Sequence, residues 1–284
     1  MTFKKLAASA LLPVLAVGCG EAIVAVDSTV ERPYDGPMHV ERDTRDRASV
    51  LERSGAAGLA LECVGAPYAG GGGSYDDGLA TVQSSRQEAL VNFVEESWPG
   101  AVPTDGLVVE RTEGHRTLLS LDVGQATKVA AVVRDDVRDW DDDVGWGVEA
   151  WATCDPAEFP AEVTDELGIT VWQEPDGDRV PVTKITSRQG PEHCDWQDIT
   201  FLDLGEGKDD PEFLRDVDGE LAEYERTTYL ADAALPDDAK DTGWVHEGHR
   251  LWLAADGRAA YLVSTADAED VERWPATTER IYCA

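Results

Sequence analysis

Apolar positions recur along this chain with two different periods. Ala89, Leu90, Phe93 and Val94 make one stripe at helical spacing, and Trp98 continues it, so residues 85–97 are predicted to form an amphipathic helix. Ser84 and Ser85 stand three residues before Gln87 and Glu88, a capping-box start, and Pro99-Gly100 ends the stripe. The period then drops to two. Strands are predicted over 107–112, 117–123, 128–134 and 146–154, with Glu113-Gly114 and Gly124-Gln125 as tight turns between the first three. In the last strand Trp146, Val148, Ala150 and Cys154 fall on one face. Upstream, residues 59–64 read as a short strand holding Cys63. Residues 45–54 read as a short helix stopped by Gly55.

Beyond a linker at 155–167 the pattern is mostly of strands. Residues 169–172 and 180–186 flank the turn Pro175-Asp-Gly-Asp178, and 196–204 follow Cys194. Residues 243–246 and 249–255 flank Glu247-Gly248. Asp256-Gly257 is the strongest hairpin signal in the chain, and its register sets Trp252 opposite Tyr261. No internal repeat relates the two halves. The fold class is therefore α+β: a helix-plus-antiparallel-meander module at 55–160, followed by a mostly β module at 161–284. A helix lying across a curved four-strand meander resembles the cystatin-like and NTF2-like rolls. That likeness is architectural and implies no activity.

The N-terminus changes the picture most. Lys4 and Lys5 precede a short apolar run that ends in Ala16-Val17-Gly18-Cys19. A charged start, an apolar middle and small residues at the end are the layout of a signal peptide, here 1–18. A cysteine directly after the small residues resembles the lipobox of bacterial lipoproteins, which implies lipidation of Cys19 and attachment to the membrane. Ala16 occupies the slot where that motif usually has leucine, and Leu15 stands one place early. An ordinary secretion signal cut nearby is the alternative. Residues 19–54 then read as a tether. Pro33, Gly36 and Pro37 interrupt its charged stretch, and as a flexible chain it would span roughly 30 Å.

Composition narrows the partners. Apolar content of 42% with nine tryptophans calls for a folded core, and no later apolar run reaches the ~18 residues of a membrane helix. The formal net charge is −33, and losing Lys4 and Lys5 makes it more negative. Such a field repels polyanions and excludes nucleic acid as a partner, since phosphate neutralisation needs lysine and arginine. Cations, basic proteins and basic peptides are the favoured soluble partners; adaptation of a secreted surface to solubility or salt explains the charge equally. The chain reads as a monomer held to the membrane by lipid.

Besides Cys19, the chain holds Cys63, Cys154, Cys194 and Cys283. An even number in an exported chain reads as disulfides, and no C-x-x-C spacing supports zinc. Of three possible pairings, Cys63–Cys154 and Cys194–Cys283 keep each bond within one module. Cys154 is expected to point into the first core, beside Trp146 and Val148.

Segments 78–83 (Gly-Leu-Ala-Thr-Val-Gln), Gly145-Trp-Gly-Val-Glu149, Cys154-Asp-Pro-Ala-Glu158, His193-Cys-Asp-Trp-Gln197 and Trp274-Pro275 with Cys283 resemble a family of lipoproteins exported by actinobacteria. The resemblance implies an extracytoplasmic, lipid-anchored location and carries no activity.

Candidate chemistry is sparse. The run Gly70-Gly-Gly-Gly73 follows a strand and precedes a helix, but Gly71 stands where a phosphate loop needs lysine, so it reads as a flexible surface loop. His246-Glu-Gly-His249 is one residue short of a zinc-helix spacing. On a hairpin the two histidines face one side and, with His193, offer metal ligands; solvated hairpin ends are the simpler reading. Asp135, Asp136, Asp139, Asp141, Asp142 and Asp143 crowd one connection, and Asp216-Val-Asp218-Gly219 is a shorter version. Their oxygen density suits Ca²⁺, yet Val144 and Ala150 occupy the glycine and glutamate positions of an EF-hand, so solvated loops are expected. Gly-x-Ser-x-Gly is missing, and the carboxylates are too many to single out a hydrolytic pair. No metal, cofactor or catalytic residue is assigned. The function expected is a binding or envelope-structural role at the cell surface. A carboxylate-dependent secreted hydrolase and a Ca²⁺-dependent surface protein are the alternatives.

Overall fold

The computed structural model describes residues 26–27, 33–45, 47–73, 75, 80–97, 103, 106–205 and 211–282. The segment 1–18 predicted as a signal peptide and Cys19 lie outside the described residues, as does Cys283. The chain is α+β with mostly β content.

Strand β1 (Val26–Asp27) is followed by helix α1 (Val50–Ala60), β2 (Ala69–Gly71) and helix α2 (Arg86–Ser97). The meander β3 (Val108–Glu113), β4 (Arg116–Val123), β5 (Ala126–Arg138) and β6 (Val144–Thr153) comes next. These strands form one sheet in the order β1-β3-β4-β5-β6-β2, antiparallel except for the β1–β3 pair. The predicted meander is present, with β5 and β6 longer than their hydrophobic runs.

Both faces of this sheet are covered. Leu90 and Phe93 of α2 pack on Leu119, Val129, Ala131, Val133, Val148 and Trp151. On the opposite face Met38, Ala56, Ala57 and Ala60 pack on Leu118, Ala130, Val132, Ala150 and Ala152. Strand β5 therefore buries Val129 to Val133 without a break, as a strand sandwiched between two layers must. One expectation is corrected here. Residues 33–54 are not a free tether. Tyr34, Met38 and Val40 lie against the second core, and Arg111 donates to the carbonyls of Tyr34 (3.2 Å) and Gly36 (2.9 Å). Helix α1 also differs from its predicted form. Ser49 and Glu52 close a capping box (3.3 and 2.7 Å), and Gly55, at φ 50°, kinks the helix where a stop was expected. A Cβ there would lie 2.8 Å from the Val40 carbonyl, so only glycine fits. The helix then runs to Ala60, into the start of the predicted 59–64 strand, and residues 61–64 are irregular.

A bulge in β6 overturns the predicted facing of Cys154. Val132 pairs with Ala150 but Val133 pairs with Val148, so Glu149 is the extra residue. Side chains after it change face. Trp146 and Val148 point toward α2, whereas Ala150 and Ala152 point toward α1, and Cys154 follows them to meet Cys63 just beyond α1.

After α3 (Ala161–Glu166), the second unit holds a three-stranded sheet, β7 (Thr186–Gln189), β8 (Thr200–Asp203) and β9 (Glu212–Arg215). It also holds a four-stranded meander, β10 (Lys240–His246), β11 (His249–Leu253), β12 (Ala259–Ser264) and β13 (Val271–Pro275). Trp252 pairs with Tyr261 as the Asp256-Gly257 turn predicts. A bridge between Phe213 and Ala276 joins the two sheets. Trp172, Val180, Ile185, Leu202, Phe213, Leu251, Leu262 and Trp274 form the shared core. The strands predicted over 169–172 and 180–186 are instead irregular chain. Trp172, Val180 and Ile185 are buried there all the same, so the apolar signal reported burial and not strand geometry.

Candidate functional site

The second unit carries a cleft of about 400 Å³ where β7 and β9 face the β10–β11 hairpin and β13. Trp172, Arg188, Arg215, His246, His249, Glu272 and Trp274 line it. All but Trp172 reach it through their strand register. His246 and His249 pair across the two-residue Glu247-Gly248 turn, which both residues enter with positive φ (45° and 76°), as a hairpin turn of this type requires.

The charged groups inside are held in place. Arg215 grips Glu272 with two bonds (3.1 and 3.4 Å), and the Trp274 indole donates to the same carboxylate at 2.8 Å. Burial pushes the Glu272 carboxyl up, but the Arg215 and Trp274 hydrogen bonds together bring it below the usual carboxylate range. The hydrogen bond to Glu272 in turn raises Arg215. His246 lies against Trp172 with ring centroids 5.4 Å apart, and burial lowers its pKa. Arg188 sits 4.4 Å over the Phe201 ring and makes only long ion pairs, to Asp203 (3.4 Å) and Glu212 (3.3 Å). The Nε1–H of Trp172, 1% exposed, is buried with no partner among the described residues. An unpaired buried donor is costly.

Behind the cleft Asp203 and Glu212 face each other across β8 and β9. Arg280 holds Asp203 at 2.6 Å and the Ile281 amide donates to Glu212 at 3.1 Å. Burial raises the Glu212 pKa, with that amide opposing. Two arginines balance two carboxylates, so the group locks the C-terminal segment onto the sheet.

The sequence-predicted residues fare differently. Cys63 and Cys154 are bonded, with Cα atoms 5.3 Å apart. Cys194 is also disulfide-bonded, and Cys283 lies outside the described residues. His246 and His249 meet at the cleft, but among the described residues neither they nor His193 belong to a group of three metal-type ligands. Of the groups that do, Cys63 and Cys154 are already joined to each other, and His115, Asp135 and Asp136 are exposed.

The acidic loops are organised by backbone. Asp139 is 8% exposed and accepts the amides of Asp141 and Asp143 (both 3.1 Å). Asp216 accepts those of Gly219 (2.9 Å), Glu220 (3.1 Å) and Leu221 (2.7 Å). Each caps its own turn, and Asp139 also accepts the Val82 amide at 3.4 Å. Asp135 and Asp136 instead face His115 and Arg134.

The glycine run is corrected too. Gly70 and Gly71 belong to an edge strand on β6. A Cβ at Gly70 would collide with the Ser54 hydroxyl and lie 2.8 Å from the Trp151 carbonyl. Sequence reasoning missed Arg215, Glu272 and Trp172 as partners. The Trp274-Pro275 segment was their only local signal.

No protein-family model matches this chain, and no curated protein or solved structure proved similar to it.

Proposed function

We propose that this is an extracytoplasmic, lipid-anchored binding protein that takes a small acceptor-bearing ligand into the cleft of its second unit. The observation that carries the binding reading is the unpaired Trp172 indole N–H beside Arg188 and Arg215. All three residues line the same cleft. The inner carboxylate, Glu272, is ionised and doubly held, so it is unsuited to act as the general acid of a hydrolase. Location rests on Lys4–Cys19 and is supported by the Cys63–Cys154 bond, of a kind that persists in oxidising compartments.

Two experiments test this. Cys19→Ser moves the protein from the membrane fraction to the medium or leaves an uncleaved precursor; wild-type protein that is wholly soluble with an unmodified N-terminus elsewhere refutes the anchor. Native mass spectrometry of protein isolated from its own membranes finds a small-molecule adduct that Trp172→Phe weakens. Turnover of glycoside or peptide substrates that Glu272→Gln abolishes refutes the binding reading and favours a hydrolase.

A further inference from the structure

The first unit holds a second, chemically distinct pocket at the bulge of β6. Its volume is about 310 Å³, and Arg42, Tyr75, Arg134, Arg138 and Glu149 line it. We propose that this pocket binds a phosphate group.

Charge is the first argument. The chain has 24 Lys and Arg against 57 Asp and Glu, so arginines that gather without matching acids are against its composition. Here Arg42, Arg134 and Arg138 line the pocket against Asp136 and Glu149, an excess of one positive charge. Glu149 is shared among Arg116 (2.7 Å), Arg134 (3.7 Å) and His39 (2.5 Å). Asp136 is bound by Arg134 at 2.6 Å. Arg138 has Asp142 at 3.6 Å, an exposed pair that water screens. A phosphate group carries about two negative charges near neutral pH, so a local positive excess on an otherwise acidic chain favours it.

Arg42 is the second argument. It makes no hydrogen bond or close ion pair among the described residues; burial lowers its pKa, and the through-space attraction of Glu149 and Tyr75 offsets that only in part. A half-buried guanidinium without an acceptor is unfavourable, and its planar fork fits two phosphate oxygens.

The pocket is also sterically prepared. The Arg42 stem crosses the kink at Gly55, where a Cβ would lie 3.0 Å from its Cγ. Its guanidinium lies over Gly72, where a Cβ would collide with it. Tyr75 packs on Gly147, where a Cβ would come within 2.6 Å of the ring, and its oxygen accepts the Val148 amide at 2.6 Å. Three glycines from three separate segments thus make room for the walls of the pocket.

The ligand's phosphate can be that of a soluble ion or of a lipid headgroup, and the test separates them. Full-length protein in detergent, at low ionic strength, is titrated calorimetrically with inorganic phosphate. It is then floated with phosphatidylcholine vesicles with and without phosphatidic acid. Saturable binding of inorganic phosphate assigns a soluble ligand. Binding only to vesicles containing phosphatidic acid assigns a lipid headgroup. Arg42→Gln weakens the interaction about 10- to 100-fold, the equivalent of one charge-assisted hydrogen bond. Its melting temperature without phosphate is unchanged or higher, which a structural arginine would not allow. The exposed Arg138→Gln keeps the fold and weakens binding less than about fivefold. No saturable binding in either arm, or equal binding by Arg42→Gln, overturns the proposal.

Discussion

The carboxylate of Asp155, two residues past the last strand of the first sheet, accepts the amide of Val182 at 2.9 Å. Thr183 adds its amide (3.3 Å) and hydroxyl (3.2 Å), and Ala157 donates at 2.9 Å. One buried side chain thus joins the two units across a segment whose sequence reads as a linker. Asp155→Ala leaves those donors unpaired. We expect a loss of roughly 2–3 kcal/mol in urea unfolding, with Asp155→Asn recovering part of it. Two separated transitions in the alanine variant are the expected signature; an unchanged midpoint contradicts the account.

The Cys63–Cys154 bond closes a span of 91 residues. Its removal by a double Cys→Ala substitution is expected to cost roughly 4–5 kcal/mol on the chain-entropy view. Non-reducing peptide mapping checks the pairing and extends it, since we expect Cys194 to appear linked to Cys283. A Cys63–Cys283 or Cys154–Cys194 peptide rules that scheme out.

Because Asp139 and Asp216 are engaged by their own loop amides, Ca²⁺ is expected to stabilise the protein no more than its ionic strength does. Asp139→Ala, by contrast, loses a cap and about 0.5–2 kcal/mol. Calorimetry across free Ca²⁺ concentrations decides the matter. A saturable rise in melting temperature at micromolar free ion reinstates the calcium reading.

Burial lowers the pKa of His246 below its ordinary 6.5, so the folded state favours the neutral ring. Above 6.5 both folded and unfolded states hold it neutral, and the contribution is complete. As pH falls below 6.5 the unfolded chain takes up the proton first, and stability is lost until the folded pKa is passed. The difference in unfolding free energy between wild type and His246→Phe is therefore expected to shrink from pH 7.5 toward pH 5. A difference that is flat with pH is incompatible with burial of the ring.

The net charge of −33 predicts self-repulsion that salt relieves. Raising NaCl from 0.1 to 1 M shortens the screening length from about 10 Å to 3 Å, and the melting temperature is expected to rise. A fall over that range contradicts it.

Local physics made much of this chain legible. The α2 stripe, the four-strand meander, and the Asp256-Gly257 hairpin with Trp252 opposite Tyr261 all follow from periodicity and turn chemistry, which act over a few residues. The same holds for the choice of Cys154 as the partner of Cys63, once each bond is kept within one unit.

What the sequence could not decide depends on residues far apart in the chain. The face taken by Cys154 hinges on a single bulged residue, Glu149, and a one-residue slip inverts every side chain beyond it. The packing of Met38 on Val132, the kink at Gly55 and the close approach of Gly70 to Trp151 turn an apparent tether and an apparent flexible loop into the second layer of the core. Arg215 reaches Glu272 across 57 residues, and Arg116 reaches Glu149 across 33. Periodicity carries no record of which distant charges meet, because that pairing forms only when the sheets close. Sequence alone therefore determined many of the elements and their turns; tertiary structure decided which charges are paired and which, like Arg42, line a pocket without a hydrogen bond.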